Sequence, residues 1–227
     1  MPVIIFDMDE TLYDERTYVR EGLRTVAAFM QKKWGIPRET AFRLMNRDIR
    51  QNGRGKAFDV VLARWGILSR KNVRTCLSAY RAHTPKLRLY PDATRALRRF
   101  KNYPLYVVTD GTVNVQRRKA RALGLNAKVK KIIATWSFGK NKGKPSPFCF
   151  KFIARQERVT PAEVIYVGDD PHKDFINLKP LGFRTVRILR GRLKDVKVDN
   201  KHEAERTIRS LDELTVPFIE RLTRAKM

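Results

Sequence analysis

The feature that most constrains this chain is a recurring kind of segment. Short apolar, β-branched runs appear without polar alternation, each followed by a loop and then a helical pattern. The first is Pro2-Val3-Ile4-Ile5-Phe6, which ends at Asp7. Leu105-Tyr106-Val107-Val108, Lys131-Ile132-Ile133-Ala134 and Val164-Ile165-Tyr166-Val167 read alike, and Thr185-Val186-Arg187-Ile188 is a fifth candidate. A run with no polar face is a strand covered on both sides. Helical patterns at 114–123, 147–156 and 173–181 lie between them, with Pro147 allowed in a first turn. Strand, loop and helix in repetition predict an α/β fold, a Rossmann-like, doubly wound parallel sheet.

Residues 14–90 break this rhythm. From Glu15 to Trp34, Val19, Leu23, Val26, Ala27 and Met30 fall on one helical stripe, and Gly35 ends it. Further helical stretches follow at 37–50, 56–65 and 69–82, with no strand candidate. The expected division is an α/β core domain of residues 1–13 and 91–227, with an all-helical domain, residues 14–90, inserted after the first strand. Asp92 is a candidate N-cap for the helix that resumes the core. Residues 190–201 read as a charged surface loop, and 208–222 as a closing helix or helix pair broken at Pro217.

Composition removes several function classes. Cys76 and Cys149 are far apart and form no CxxC, which argues against a disulfide framework or a thiolate zinc site. His83, His172 and His202 are also scattered. The start, MPVIIFDMDE, lacks a basic region and a long apolar run, so no signal peptide is expected. No run approaches the roughly 18–20 apolar residues of a membrane helix. A cytoplasmic location and no membrane partner are expected. The formal net charge is +26, and residues 93–144 hold 14 basic residues against one acidic. Such a field favours anionic partners, either phosphorylated metabolites or nucleic acid. The basic residues are not interleaved with aromatics in the sequence, and Trp34, Trp65 and Trp136 read as packing residues, so nucleic acid is the less favoured partner.

Parallel sheets bind ligands beyond the carboxyl ends of their strands. Asp7 and Asp9 follow the first strand, and Thr109, Asp110 and Gly111 follow the second. Lys144-Pro145 precedes the helix at 147, and Gly168, Asp169, Asp170 and Asp174 follow the strand at 164. Carboxylates gathered at one rim repel, and a hard cation such as Mg2+ relieves them.

The set FDMDETL, VVTDG, GKPSP and VGDDPHKD resembles the four motifs of the haloacid dehalogenase superfamily, in order, with spacings of 102, 35 and 25 residues between Asp7, Thr109, Lys144 and Asp169. The resemblance spans residues 2–190 and indicates a member with a helical cap between its first two motifs. It implies a Mg2+-dependent phosphomonoester hydrolase. Asp7 would be the nucleophile and Asp9 the general acid and base. Thr109 would bind phosphoryl oxygens with the Asp110 and Gly111 amides, and Lys144 would neutralise charge. Asp7, the Asp9 backbone carbonyl and Asp169 would hold the metal, with Asp174 a ligand through water or an orienter of Lys144.

Asp9 speaks for a phosphatase over a dehalogenase, because only a leaving alcohol needs a proton. Lys140 and Lys142 compete with Lys144, which is preferred because Pro145 follows it. Asp170 is one residue off the motif, and His172 reads as a solvated loop residue. Arg54 and Lys56, in the loop NGRGKAFD, are candidate ligands for a distal anionic group, followed by Arg16, Tyr18 and Arg20. The expected substrate is a small phosphorylated metabolite of the phosphoglycolate, sugar phosphate or nucleotide and flavin mononucleotide class, acted on by a monomer or homodimer. A nucleic-acid-binding protein, a nucleic-acid-end phosphatase and a phosphomutase are the alternatives.

Overall fold

A computed structural model describes residues 1–53 and 55–224. The chain forms two compact units, Met1–Glu15 with Leu87–Met227, and Arg16–Lys86. In the first, six strands make one sheet of order β3-β2-β1-β4-β5-β6. They are β1 (Val3–Phe6), β2 (Leu105–Thr109), β3 (Lys131–Ala134), β4 (Val164–Gly168), β5 (Arg184–Ile188) and β6 (Arg206–Ile208), and every pairing is parallel. β1, β2, β4 and β5 are buried at every position, as expected for strands with helices on both faces. The parallel α/β sheet read from the sequence is therefore present.

The chain winds from β1 out through β2 to β3. It then returns to the other side of β1 and continues through β4, β5 and β6. The switch point lies at β1, where open α/β sheets form their ligand crevice. Phe6 is in register with Val107 on one side and Val167 on the other, so Asp7, Thr109 and Asp169 leave the sheet at neighbouring strand ends.

The second unit is helical. It takes in α1 (Glu15–Trp34), α2 (Arg38–Asn52), α3 (Ala57–Arg64) and α4 (Arg70–Ala82). The stripe Val19, Leu23, Val26, Ala27 and Met30 is buried. Gly35, at φ 67°, ends α1 and donates its amide to the Gln31 carbonyl. Gly22 lets Tyr80 approach α1, since a Cβ there would lie 2.4 Å from the Tyr80 ring. Ser69 caps α4 by accepting from the Asn72 amide.

Three local expectations are corrected. Asp92 is not an N-cap, because α5 (Pro91–Arg99) starts two residues earlier than that cap would place it, with Tyr90 at the cap. Its carboxylate instead accepts from the Ala93 and Leu211 amides, the Ser210 hydroxyl and the Arg190 guanidinium, tying the helix to the C-terminal segment. Residues 173–181 are turns ending in a single 3-10 turn at Lys179–Leu181. The chain there is drawn inward at Asp174, Phe175 and Leu178, and Pro180 disfavours a regular helix through Lys179. Residues 208–222 do not form one helical stretch. Arg206–Ile208 is an edge strand too short to show a pattern, and the helix spans Val216–Arg224. Pro217 sits in the first turn of that helix, where its missing N–H costs nothing, so it opens the helix rather than breaking it. The other core helices are α6 (Val113–Ala122) and α7 (Phe148–Glu157), which makes the C-terminal helix α8.

Candidate active site

The carboxyl ends of β1, β2 and β4 and the loop before α7 bring together side chains from four distant parts of the chain. Asp7 leaves β1 with its amide bonded to the Val167 carbonyl at 2.8 Å, and it is buried. Lys144 Nζ donates to Asp7 Oδ1 at 2.7 Å and to Tyr166 Oη at 2.8 Å, and pairs with Asp174 Oδ1 at 2.8 Å. Tyr166 Oη in turn donates to Asp174 Oδ1 at 2.9 Å, and the second Asp174 oxygen accepts from the Asp170 amide at 3.0 Å. Asp174 therefore faces the lysine with both its oxygens occupied. Gly168 makes this approach possible, since a Cβ there would sit 2.4 Å from Asp174 Oδ2.

Thr109, at the end of β2, is 1% exposed, and its Oγ1 has no hydrogen-bond partner among the described residues. A buried hydroxyl without a partner costs free energy unless a ligand supplies one. Next to it, Gly111 holds φ 128°, and a Cβ would lie 2.7 Å from Gln116 Nε2, so only glycine fits. Asp110 has a scaffolding geometry. Its Oδ1 accepts from Thr135 Oγ1 at 2.6 Å and from the Lys144 amide at 3.0 Å, which links the second and third motifs.

Asp169 is buried beside Asp7 and Asp174, and no hydrogen bond or ion pair holds its carboxylate among the described residues. Burial and the neighbouring Asp7 and Asp174 charges push its pKa up to about 9. Burial raises Asp7 to about 7, with Lys144 opposing and Asp174 adding to the rise. Lys144 is held protonated, because its pairing with Asp174 and Asp7 outweighs its own burial. The cluster thus carries more carboxylates than its lysine neutralises, and the Asp169 carboxylate and one Asp7 oxygen are hard donors without partners. That donor set fits a cation such as Mg2+. Among the described residues no three histidine, cysteine or acidic side chains gather closely enough to hold an ion by themselves. The donors would be two carboxylates, backbone oxygen and water, the mixture Mg2+ prefers.

Asp9 points to different partners. Its Oδ1 accepts from Tyr13 Oη at 2.5 Å, and Lys119 Nζ lies 2.8 and 3.0 Å from its two oxygens. Lys119 is buried on α6 and also lies 3.5 Å from Glu15. Lys140 and Lys142 lie on the Trp136 and Phe148 rings, away from the cluster. Asp170 accepts from the His172 amide and pairs with Lys173 at 3.5 Å, and His172 is exposed. Lys56 is exposed just before α3 in the helical unit, and Arg54 lies outside the described residues.

Sequence reasoning passed over Tyr166, Tyr13 and Lys119. Tyr166 looks like one more apolar position of a buried strand, though a hydroxyl two residues before Gly168-Asp169 was a usable signal. Lys119 sits in the basic run QRRKARA, where only the helix phase tells the buried lysine from the exposed ones.

Haloacid dehalogenase-like hydrolase sequences match residues 1–182. The chain belongs to this family. A glyceraldehyde 3-phosphate phosphatase of Methanocaldococcus jannaschii is 34% identical over 220 residues, covering 93% of this chain and 94% of that protein. The chain is therefore an enzyme of the phosphatase kind within the family. One of the same name from Methanopyrus kandleri is 29% identical, covering 87% and 88%. A haloacid dehalogenase phosphatase from Thermococcus onnurineus shares the fold, with a TM-score of 0.62 at 24% identity over 94% of this chain and 96% of that one. Among the described residues no helix is long and apolar enough to cross a membrane.

Proposed function

We propose that this enzyme is a Mg2+-dependent phosphomonoester hydrolase that works through an aspartyl-phosphate on Asp7. The observation that carries the reading is the Lys144–Asp7 contact at 2.7 Å, with the unpartnered Thr109 Oγ1 and Asp169 carboxylate at neighbouring strand ends. One Asp7 oxygen attacks phosphorus and the other would face the cation, while Lys144 donates to the carboxylate at Oδ1. The bond from phosphorus to the substrate oxygen breaks, and Asp9 gives that oxygen a proton. Water then attacks the aspartyl-phosphate and passes its proton to Asp9. The bond from phosphorus to Asp7 breaks, releasing inorganic phosphate.

Thr109 Oγ1 and the Asp110 and Gly111 amides bind the phosphoryl oxygens, and Lys144 offsets the charge that gathers there. Asp7, Asp169 and the Asp9 carbonyl would hold Mg2+, whose positive charge lets an anionic substrate approach a carboxylate. Asp174 and Tyr166 orient Lys144. In this arrangement Asp9 is turned toward Tyr13 and Lys119, so a side-chain rotation precedes its proton transfer.

The relatives support a substrate class, since three of them are glyceraldehyde 3-phosphate phosphatases. We assign a small phosphorylated metabolite, with three-carbon sugar phosphates first. Residues 14–90 act as a cap that selects among such substrates, with Lys56 and Arg54 as candidate ligands for its distal end. The test is phosphate release from a panel of phosphomonoesters that includes glyceraldehyde 3-phosphate, with Asp7→Asn and a chelator as controls. Turnover lost in both controls is expected. Undiminished release by Asp7→Asn would overturn the assignment of the nucleophile.

A further inference from the structure

A cavity lies in the α/β unit on the flank formed by α6 and the edge strand β3, with a volume of about 380 Å³. None of the catalytic candidates lines it. Its wall carries Arg117 and Arg121 from α6 and Lys130 and Lys131 from the start of β3, and no carboxylate lines it among the described residues. Arg117 and Arg121 are one helical turn apart, and neither has an acidic partner among the described residues. Like charges at this spacing are unfavourable. Lys130 pairs with Glu157 at 2.7 Å, and Lys131 lies over the Phe152 ring. Four cations therefore border one cavity with a single carboxylate to offset them, an arrangement that an anion stabilises.

Val113, Ala120, Val129 and Ile132 also wall the cavity and give it an apolar part. A volume of about a dozen waters, at ~30 Å³ each, exceeds what a bare phosphate group fills and is in the range of small-molecule sites. Gln116 also lines it. Gln116 is 4% exposed, its Nε2 donates to the Asp110 carbonyl at 2.6 Å, and its Oε1 is buried without a partner among the described residues. Anion-binding cations and an apolar wall together describe a ligand with phosphate groups and an organic body.

We propose that this cavity is a binding site for a small organic polyphosphate of the nucleoside di- or triphosphate class, separate from the catalytic cluster. The phosphates lie against Arg117, Arg121 and Lys131, and the organic body lies against the apolar wall.

The test is calorimetric titration of the full chain with ATP and with inorganic tripolyphosphate, without divalent metal and at about 0.15 M salt. ATP binding that exceeds tripolyphosphate binding is expected. Arg117→Glu with Arg121→Glu should weaken it by about tenfold or more, with circular dichroism and phosphate release unchanged. Arg117→Gln with Arg121→Gln gives the same answer if the charge reversals disturb folding. Lys144→Ala, which alters only the catalytic cluster, should leave the binding intact. No binding, equal binding of ATP and tripolyphosphate, or binding that survives the arginine substitutions would overturn the proposal. So would single-stranded oligonucleotides that displace ATP with affinity growing with their length, which would make the surface a nucleic-acid track.

Discussion

Lys144 Nζ lies 2.7 Å from Asp7 Oδ1, although 137 residues separate them. The same ammonium group reaches Asp174 at 2.8 Å, so one cation stands between the nucleophile candidate and a second buried carboxylate. Its removal leaves both carboxylates without their counter-charge in a site where solvent cannot replace it. Lys144→Ala should lower kcat by about 10²–10³-fold, the scale of a lost electrostatic stabiliser. Steady-state phosphate release with each substrate that the wild type turns over checks this.

Tyr166 Oη bridges Lys144 and Asp174 without being placed to meet a substrate. Tyr166→Phe keeps the ring in the core and removes only the bridge. The expected result is a kcat reduced by about tenfold with KM within about twofold, and a stability cost of about 1 kcal/mol for the lost hydrogen bonds. A KM that rises as kcat is retained would show that Tyr166 serves binding instead.

Asp9 is assigned the proton transfers to the leaving oxygen and from water. Asp9→Asn should reduce kcat by roughly 10²–10⁴-fold on alkyl phosphates. The loss should be smaller with p-nitrophenyl phosphate, whose leaving group needs no proton. Equal losses in kcat/KM, which excludes the shared hydrolysis of the aspartyl-phosphate, would contradict the acid role. Lys119→Met, which removes the cation at 2.8 Å, separates the placement of Asp9 from its chemistry, and a lysine acting through position should be partly rescued by Lys119→Arg.

Asp92 gives a stability prediction with a definite sign. Burial works against its charge, but hydrogen bonds from Arg190 and the Leu211 amide prevail and hold its pKa below the ordinary carboxylate value. A depressed folded pKa contributes stability that is present above the unfolded value. That stability is lost as pH falls through the folded one. Asp92→Asn should cost about 2 kcal/mol at neutral pH, or about 4–8 °C in Tm. The gap between variant and wild type should begin to narrow below about pH 4, where the unfolded chain's carboxylate takes up a proton, and should close once pH falls below the depressed folded value. Thermal unfolding across that range measures it.

The family and the sheet were legible from local pattern alone. A strand buried on both faces must be apolar at every position, and Val3–Phe6, Leu105–Thr109 and Val164–Gly168 advertise this without any partner in view. Asp7, Thr109 and Asp169 were equally visible, because a polar residue directly after such a run marks a strand's carboxyl end. The misread segments are of a different character. Asp92 and 173–181 sit where a helix start or a turn is chosen by burial and by contacts with chain far away, such as Leu211 and Arg190 for Asp92, whereas Pro217 was misread because a proline in a first turn and one that breaks a helix look alike in sequence.

Only the tertiary structure decided how the polar side chains of the site are used. Whether Lys119 or its basic neighbours faces inward, whether Asp110 meets a substrate or braces Lys144, and whether the Tyr166 hydroxyl is idle all depend on distances across strands and loops. Residue order determines which side chains stand at the ends of the strands, because the periodicity of the backbone is local. The pairing of charges inside the crevice is set by the sheet order that lays β1 between β2 and β4, since burial makes each unpaired charge costly and no local pattern records which partner will be near.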